Sequence, residues 1–441
     1  MKKIVKLLVV LTAGISLIIG CFAVTGCSKK SSAVGRFDLI REDFAKNKEK
    51  EDDEKGREHL EIPANADTIE IENETYCVVR KFNDFTQKEY SYPDMPTRSK
   101  RNYIFANDIE LICNLNNNEY CIWKKFEGKL DGNNYKITSS EENGGRKMLF
   151  SDINNATIEN IIFSSSDGYI KSGNEGYAYP YIAELAEYCV IKNCVNYFQH
   201  NLQEEYRNSK SYWMSAYGFA YIICDNTLIE SCINYGDSYC AGGIVSYAEN
   251  STISRCKNYG NLVSRGGIVS KISGDTVIEN CENYGNIVSG DCGTGGLIGV
   301  TCRYYSSSHD FITGLVDEYY TENQIVKNCK NYGDIYLLRN EYDKRIEETD
   351  HYDERYRDSE NKTIYGFGGI AGSVAKVENC INEGNFYGFE NMGNKIKIKF
   401  LGGIAGAAKE VTNCENSGKI EVQKGRGEYV DNICGYYIGV K

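Results

Sequence analysis

Proline is almost missing from this chain, at 4 of 441 residues, whereas glycine reaches 43. That balance excludes a proline-rich or collagen-like stalk and suits regular β structure interrupted by tight turns. Histidine is equally scarce: His59, His200, His309 and His351 are scattered, with no paired His-Glu-x-x-His or clustered Cys/His spacing to hold a metal. Positive charge is also in deficit, 50 Lys+Arg against 62 Asp+Glu, which argues against a nucleic-acid partner. After the first 26 residues no apolar run is long enough to span a bilayer as a helix. No residue cluster names a reaction or a cofactor, so no catalytic residue is assigned from the repeat.

What is present begins at the N-terminus. Lys2, Lys3 and Lys6 precede an apolar run from Leu7 to Ile19, the proportions of a signal-peptide core. Val24-Thr25-Gly26-Cys27-Ser28 resembles the bacterial lipobox, which implies cleavage before Cys27, lipidation of Cys27 and membrane anchoring through its acyl chains. Ile18-Ile19-Gly20-Cys21 is a second candidate. Residues 1–26 are thus expected to be a lipoprotein signal peptide and 27–61 a polar tether, with a dense charge run from Lys46 to Lys55. The remainder is expected to be extracytoplasmic, with 62–100 as an N-terminal cap and 101–441 as the repeat domain.

That domain repeats one phrase: Cys, any residue, Asn, usually Tyr, usually Gly. It stands at Cys232, Cys256, Cys281 and Cys329, and more loosely at Cys194, Cys380 and Cys414. Three residues before each Cys is a β-branched residue (Ile191, Ile229, Ile253, Ile278, Val326, Val377, Val411). Further upstream comes Gly-Gly-aliphatic, as in Gly266-Gly267-Ile268. The plain unit advances 24 residues from Cys232 to Cys256 and 25 to Cys281. Short β-prone runs at that period, with no helical periodicity, predict stacked coils pairing in parallel at about 4.8 Å per layer. The expected fold is all-β: a right-handed parallel β-helix (β-solenoid) with three short strands per coil and loop insertions.

An earlier copy places Ile161 where the others have Cys, so the repeat cysteines read as small inward hydrophobes and free thiols. A disulfide ladder is the rival, because stacked neighbours fall within bonding range. Cys77, Cys113, Cys121, Cys189, Cys224, Cys240, Cys292, Cys302 and Cys434 are off-register, and any disulfide is expected among them. Two residues after each repeat Cys stand Asn196, Asn234, Asn258, Asn283, Asn331, Asn382 and Asn416. That spacing predicts an inward amide ladder bonded between layers. The Gly two residues on is expected to adopt a left-handed turn.

Gly-Gly-Ile-x-Gly followed by x-Ile-x-Asn-Cys-x-Asn-x-Gly resembles the GLUG-motif repeat of bacterial surface proteins. The opening phrase Phe126 to Ile137, with its Asp131-Gly132-Asn133 turn, is similar too. The resemblance covers about residues 100 to 440 and implies a β-helix displayed at the surface. Relatives of this kind include adhesin-like chains and the N-terminal regions of immunoglobulin-cleaving metallopeptidases, whose zinc motif is absent from this sequence.

A ligand has two places to sit. Tyr197, Tyr235, Tyr259, Tyr284 and Tyr332 follow the ladder Asn and are expected to face outward, either merely stacking or forming an aromatic track. Insertions after Cys194, Cys329 and Cys380 leave one side of the coil and carry Trp213, Tyr342, Arg345, Tyr352, Arg355 and Tyr356. The candidate site is therefore a trough floored by Tyr235, Tyr259 and Tyr284, continued by Tyr332 and walled by Trp213, Tyr352 and Arg355. The expected function is noncatalytic binding of a glycan or a host or surface protein. The alternatives are a passive surface spacer, or a carbohydrate-active lyase or hydrolase using insertion residues such as Asp343, Asp350 and Arg355.

Overall fold

A computed structural model of the chain describes residues 57–82, 84, 99–111, 121–139, 148–165, 181–198, 218–239, 242–289, 293–305, 310–313, 323–337, 366–388, 398–421 and 427–438. Among them the fold is a stack of short parallel strands, a β-helix. No helix among the described residues is long and apolar enough to cross a membrane. One coil shows the pattern: Val269–Ser273, Val277–Glu279, Glu282–Asn283 and Ile287–Ser289. Each pairs in parallel with its equivalent one unit earlier, for example Val277 with Thr252, Asn283 with Asn258 and Ile287 with Leu262. The coil thus has four short strands where three were expected. The first two belong to one 21-stranded sheet, the Cys-x-Asn strands to a 10-stranded sheet and the last to a 5-stranded sheet.

The β-branched position explains the coil's cohesion. Ile158, Ile191, Ile229, Ile253, Ile278, Val326 and Val377 lie in one fully buried column. Burying each such side chain contributes about 1.5–3 kcal/mol. Ile161 and the cysteines from Cys194 to Cys380 form the next column, also buried, with half-buried Cys414 at its end. All seven repeat cysteines are free thiols, as are Cys77, Cys189, Cys224 and Cys434. Cys113, Cys121, Cys240, Cys292 and Cys302 lie outside the residues whose side chains are described. Each repeat thiol points back at the carbonyl two residues earlier, as Cys256 does to Ser254 O at 3.3 Å. Burial pushes the Cys232, Cys281 and Cys329 thiols up from their ordinary value. Because Cys77, Cys224 and Cys414 are half-buried and the others fully buried, a short alkylation pulse on native protein is expected to label these three before Cys232, Cys256, Cys281, Cys329 and Cys380. Peptide mapping reads the order, and equal labelling would put the column at the surface.

The amide ladder is continuous. Each Asn Nδ2 donates to the Oδ1 of the next layer, from Asn196 to Asn234 (2.6 Å) through Asn258 to Asn283 (2.8 Å) and on to Asn416. The same nitrogen reaches the glycine carbonyl two residues on, as in Asn283 to Gly285 O at 2.8 Å.

The left-handed turn is not at that glycine, contrary to the sequence expectation. It is made by the residue before the Cys: Asn160, Asn193, Ser231, Arg255, Asn280, Asn328, Asn379 and Asn413 have φ between 50° and 57°. Asparagine tolerates this region, and this bend turns the chain from the wide sheet to the ladder sheet, while a second left-handed bend, as at Tyr188, Asn250 and Gly274, separates the two wide-sheet strands. Gly285 is required for another reason: a Cβ there would sit inside the carbonyl oxygen of Gly260 in the preceding coil. A third column, not anticipated, closes the next corner. Asn261 N donates to Asp237 Oδ1 (2.8 Å), Asp334 N to Asn286 Oδ1 (2.8 Å) and Asn385 N to Asp334 Oδ1 (2.8 Å).

At the N-terminal end, Thr68–Ile71 pairs antiparallel with Glu74–Val79, which joins the parallel stack through Asn102–Phe105. The expected tether also touches the coils from Arg57 onward. Asn133 Oδ1 accepts from Leu60 N (2.7 Å), Asn134 Nδ2 donates to Glu58 O (2.8 Å), and His59 stacks on Tyr135 with ring centroids 4.2 Å apart. The Asp131-Gly132-Asn133 turn expected from sequence is present, with Tyr135 N bonded to Gly132 O (2.8 Å) and positive φ at Asn133 and Asn134.

Candidate functional site

The outer face of the ladder sheet follows from the alternation along Cys-x-Asn-Tyr. Cys and Asn point in, so the residue between them and the Tyr point out. Parallel in-register pairing then puts each Tyr directly over the last. Centroids from Tyr197 to Tyr235, Tyr259, Tyr284 and Tyr332 are 4.9, 4.9, 4.6 and 4.7 Å apart, with planes within 14° of parallel. Ring faces in contact lie about 3.5–4 Å apart, so these spacings imply a sideways slip of about 3 Å, the offset stack that π-systems prefer.

This stacking decides what the stripe offers a ligand. Each interior ring has both faces against another tyrosine, so edges and phenol oxygens are presented outward. Tyr259, Tyr284 and Tyr332 are half-buried. Tyr235, expected in an open floor, is 1% exposed and is corrected to a buried residue. It packs with Ile162 and Val195, outward residues of the same sheet that replace the charges found in later coils. Trp213, Tyr352 and Arg355, the expected walls, lie outside the described residues, as do Asp343 and Asp350. The Arg303 to Asn323 insertion starts as an antiparallel hairpin, Ile298–Tyr305 with Asp310–Thr313, off the wide sheet.

Beside the stack runs a charged row, Lys257, Glu282 and Lys330, paired in register on the neighbouring outward position. Lys257 Nζ lies 3.4 Å from Glu282 Oε2, and the Tyr284 phenol donates to the same oxygen at 2.9 Å. Burial, then this hydrogen bond and the carboxylate charge, raise the Tyr284 phenol above its ordinary value. A second charged row decorates the wide sheet, with in-register ion pairs Lys192–Glu159 (2.8 Å) and Lys327–Glu279 (2.9 Å), and Arg255 at the adjoining turn reaches Glu230 of the same row. Each exposed pair contributes little, about 0–1 kcal/mol. Their alternation matters more, because like charges in one column would repel at every layer.

One grouping of metal-ligand types occurs among the described residues: Glu187, Cys224 and Asp225, whose ligand atoms lie within 4.8 Å of one another. Burial first, then the Asp225, Glu187 and Glu249 charges, push the Cys224 thiol up to about 12. Cys224 Sγ faces Glu187 Oε1 at 4.0 Å and Asn154 Nδ2 donates to Glu187 Oε2 (3.0 Å), so both carboxylate oxygens already have donors, and we assign no ion to the group.

No family model matches the chain, and no curated protein does. Among solved structures it is similar to one described as a "putative immunoglobulin A1 protease" from Bacteroides ovatus, at 13% identity and TM-score 0.33, covering 78% of this chain and 84% of that one. The β-helix assignment stands on the strand pairing above.

Proposed function

We propose that the chain is a lipid-anchored, extracytoplasmic β-helix of the GLUG-repeat kind that binds a partner noncatalytically at its cell surface. The supporting features are the lysine-led apolar run, the lipobox-like Val24 to Cys27, and the outer strip of the ladder sheet. The observation that carries the binding reading is the strip formed by Tyr259, Tyr284 and Tyr332 beside Lys257, Glu282 and Lys330. It combines aromatic edges, phenol oxygens and both charges on a rigid sheet. Between the two partner classes, a protein suits this strip better than a glycan. A sugar ring stacks on an open aromatic face, and here the interior faces are already occupied.

The test is binding to a glycan array and to a panel of purified surface glycoproteins, comparing wild type with the Tyr259→Ala/Tyr284→Ala/Tyr332→Ala triple variant. We expect at least about a tenfold loss of affinity, roughly 1.4 kcal/mol, with the β-sheet circular dichroism retained. Unchanged binding would remove the strip as the site. New reducing ends or unsaturated products from added polysaccharide would favour a carbohydrate-active enzyme instead. Anchoring is tested separately: Cys27→Ser should move the protein from the detergent phase to the aqueous phase. A passive spacer is the second reading, favoured by the same occupied ring faces, and it predicts no saturable partner at all.

A further inference from the structure

The tyrosine stack has a chemical consequence that does not depend on any bound partner. Four of its rings, Tyr197, Tyr259, Tyr284 and Tyr332, are half-buried, and Tyr284 is central in the unbroken run from Tyr259 to Tyr332. Its centroid lies 4.6 Å from Tyr259 and 4.7 Å from Tyr332, with planes 6° and 14° from parallel. Its phenol is also donated to a carboxylate, Glu282 Oε2, at 2.9 Å. A phenol that loses an electron must shed its proton, and an ionised acceptor at hydrogen-bond distance takes it without diffusion. With centroids 4.6 and 4.7 Å apart, the ring carbons ortho to neighbouring phenol oxygens need only a small side-chain movement to meet.

We propose that Tyr284, with Tyr259 or Tyr332, is an oxidative cross-linking site that fuses adjacent coils through a dityrosine bond when a peroxide-driven one-electron oxidant reaches the strip. Each of two phenols gives up one electron and its hydroxyl proton, and Glu282 receives the proton from Tyr284. The two phenoxyl radicals couple between ortho carbons, and the hydrogens displaced there return to the phenol oxygens. One hydrogen peroxide takes up the two electrons and two protons and becomes two waters, so the balance closes. The thiols behind these three rings, Cys256, Cys281 and Cys329, do not compete, because they are fully buried. The product is a side-chain covalent staple across layers whose side chains otherwise meet only through hydrogen bonds, ion pairs and packing.

The experiment treats the full chain, at low concentration, with a haem peroxidase and hydrogen peroxide, followed by tryptic mapping. The three rings fall in separate peptides, 258–265, 272–303 and 331–339. We expect blue dityrosine fluorescence from the monomer and a cross-linked pair joining 272–303 to 258–265 or 331–339, lighter than the summed peptides by two hydrogens. Tyr284→Phe keeps a ring in the stack and should abolish both pairs. Glu282→Gln keeps the side-chain shape, loses the proton acceptor, and should lower the yield several-fold. Cross-links confined to peptides outside these three, or ladder cross-links that persist in Tyr284→Phe, overturn the site. Equal yield in Glu282→Gln overturns the carboxylate's part in it.

Discussion

Replacing Gly285 with alanine is expected to destabilise the protein by about 3–5 kcal/mol, among the largest effects of any single methyl addition in this chain. The cause is a close approach between coils. The added Cβ would overlap the Gly260 carbonyl oxygen and crowd the Asn258 amide, both held in place by the layer below. No side-chain rotation relieves this, because every atom involved is backbone or part of the amide ladder. The coils would have to separate, which stretches Gly285 N to Asn258 O and Tyr284 N to Asn258 O (2.7 Å) and breaks the ring stack above them. Asn280→Gly provides the contrast. Asn280 has φ of 55°, a region glycine enters freely, so that change should cost well under 1 kcal/mol. Urea denaturation of the two variants measures the difference. Hydrogen exchange adds a local readout, because a stack in which each coil touches only its neighbours opens nearest the lesion first. A Gly285→Ala midpoint equal to wild type would mean the coils have room that the structure denies them.

That contrast also shows what the sequence could and could not disclose. The Cys and Asn columns were legible because in-register stacking writes the same residue at the same offset in every coil, and Ile161 in place of Cys identified the position as apolar. The turn was misplaced because glycine has two uses, positive φ and absence of a side chain, and a one-dimensional pattern does not distinguish them. The signal for the true turn was present: Asn stands before the Cys position (Ile161 in the first copy) in six of eight copies, Ser231 and Arg255 being the departures. The Asp/Asn column at the next corner is masked in the sequence because Asp237, Asn261, Asn286 and Asp334 vary in identity while each accepts through its own Oδ1 from the next layer. Tyr235 looked like Tyr259 in the repeat and differs from it in burial. Its surroundings come from Ile162 and Val195, at the offset where later coils carry Lys257 and Glu282. Repetition therefore disclosed the scaffold, and the departures from repetition set the chemistry of each patch on it.

Asn283→Ala should cost about 3–5 kcal/mol, while the same change at Asn416 should cost about 1 kcal/mol or less. The amide of Asn283 is fully buried. It accepts from Asn258 Nδ2 and donates to Asn331 Oδ1 and to Gly285 O, all at 2.8 Å. Truncation leaves Asn331 Oδ1 and Gly285 O without this donor and removes one of the two bonds made by Asn258 Nδ2. Each buried group so deprived costs about 1–3 kcal/mol, and the losses add incompletely because the cavity relaxes. Asn416 makes the same types of bond, to Gly418 O (3.1 Å) and Asn432 Oδ1 (2.9 Å), but it is only half-buried, so water can replace them. The pair isolates position from chemistry: one residue type, one motif offset, two depths. Thermal melts with matched urea titrations decide the matter, and equal losses at the two sites would show that the ladder's worth is local to each turn and owes nothing to burial within the stack.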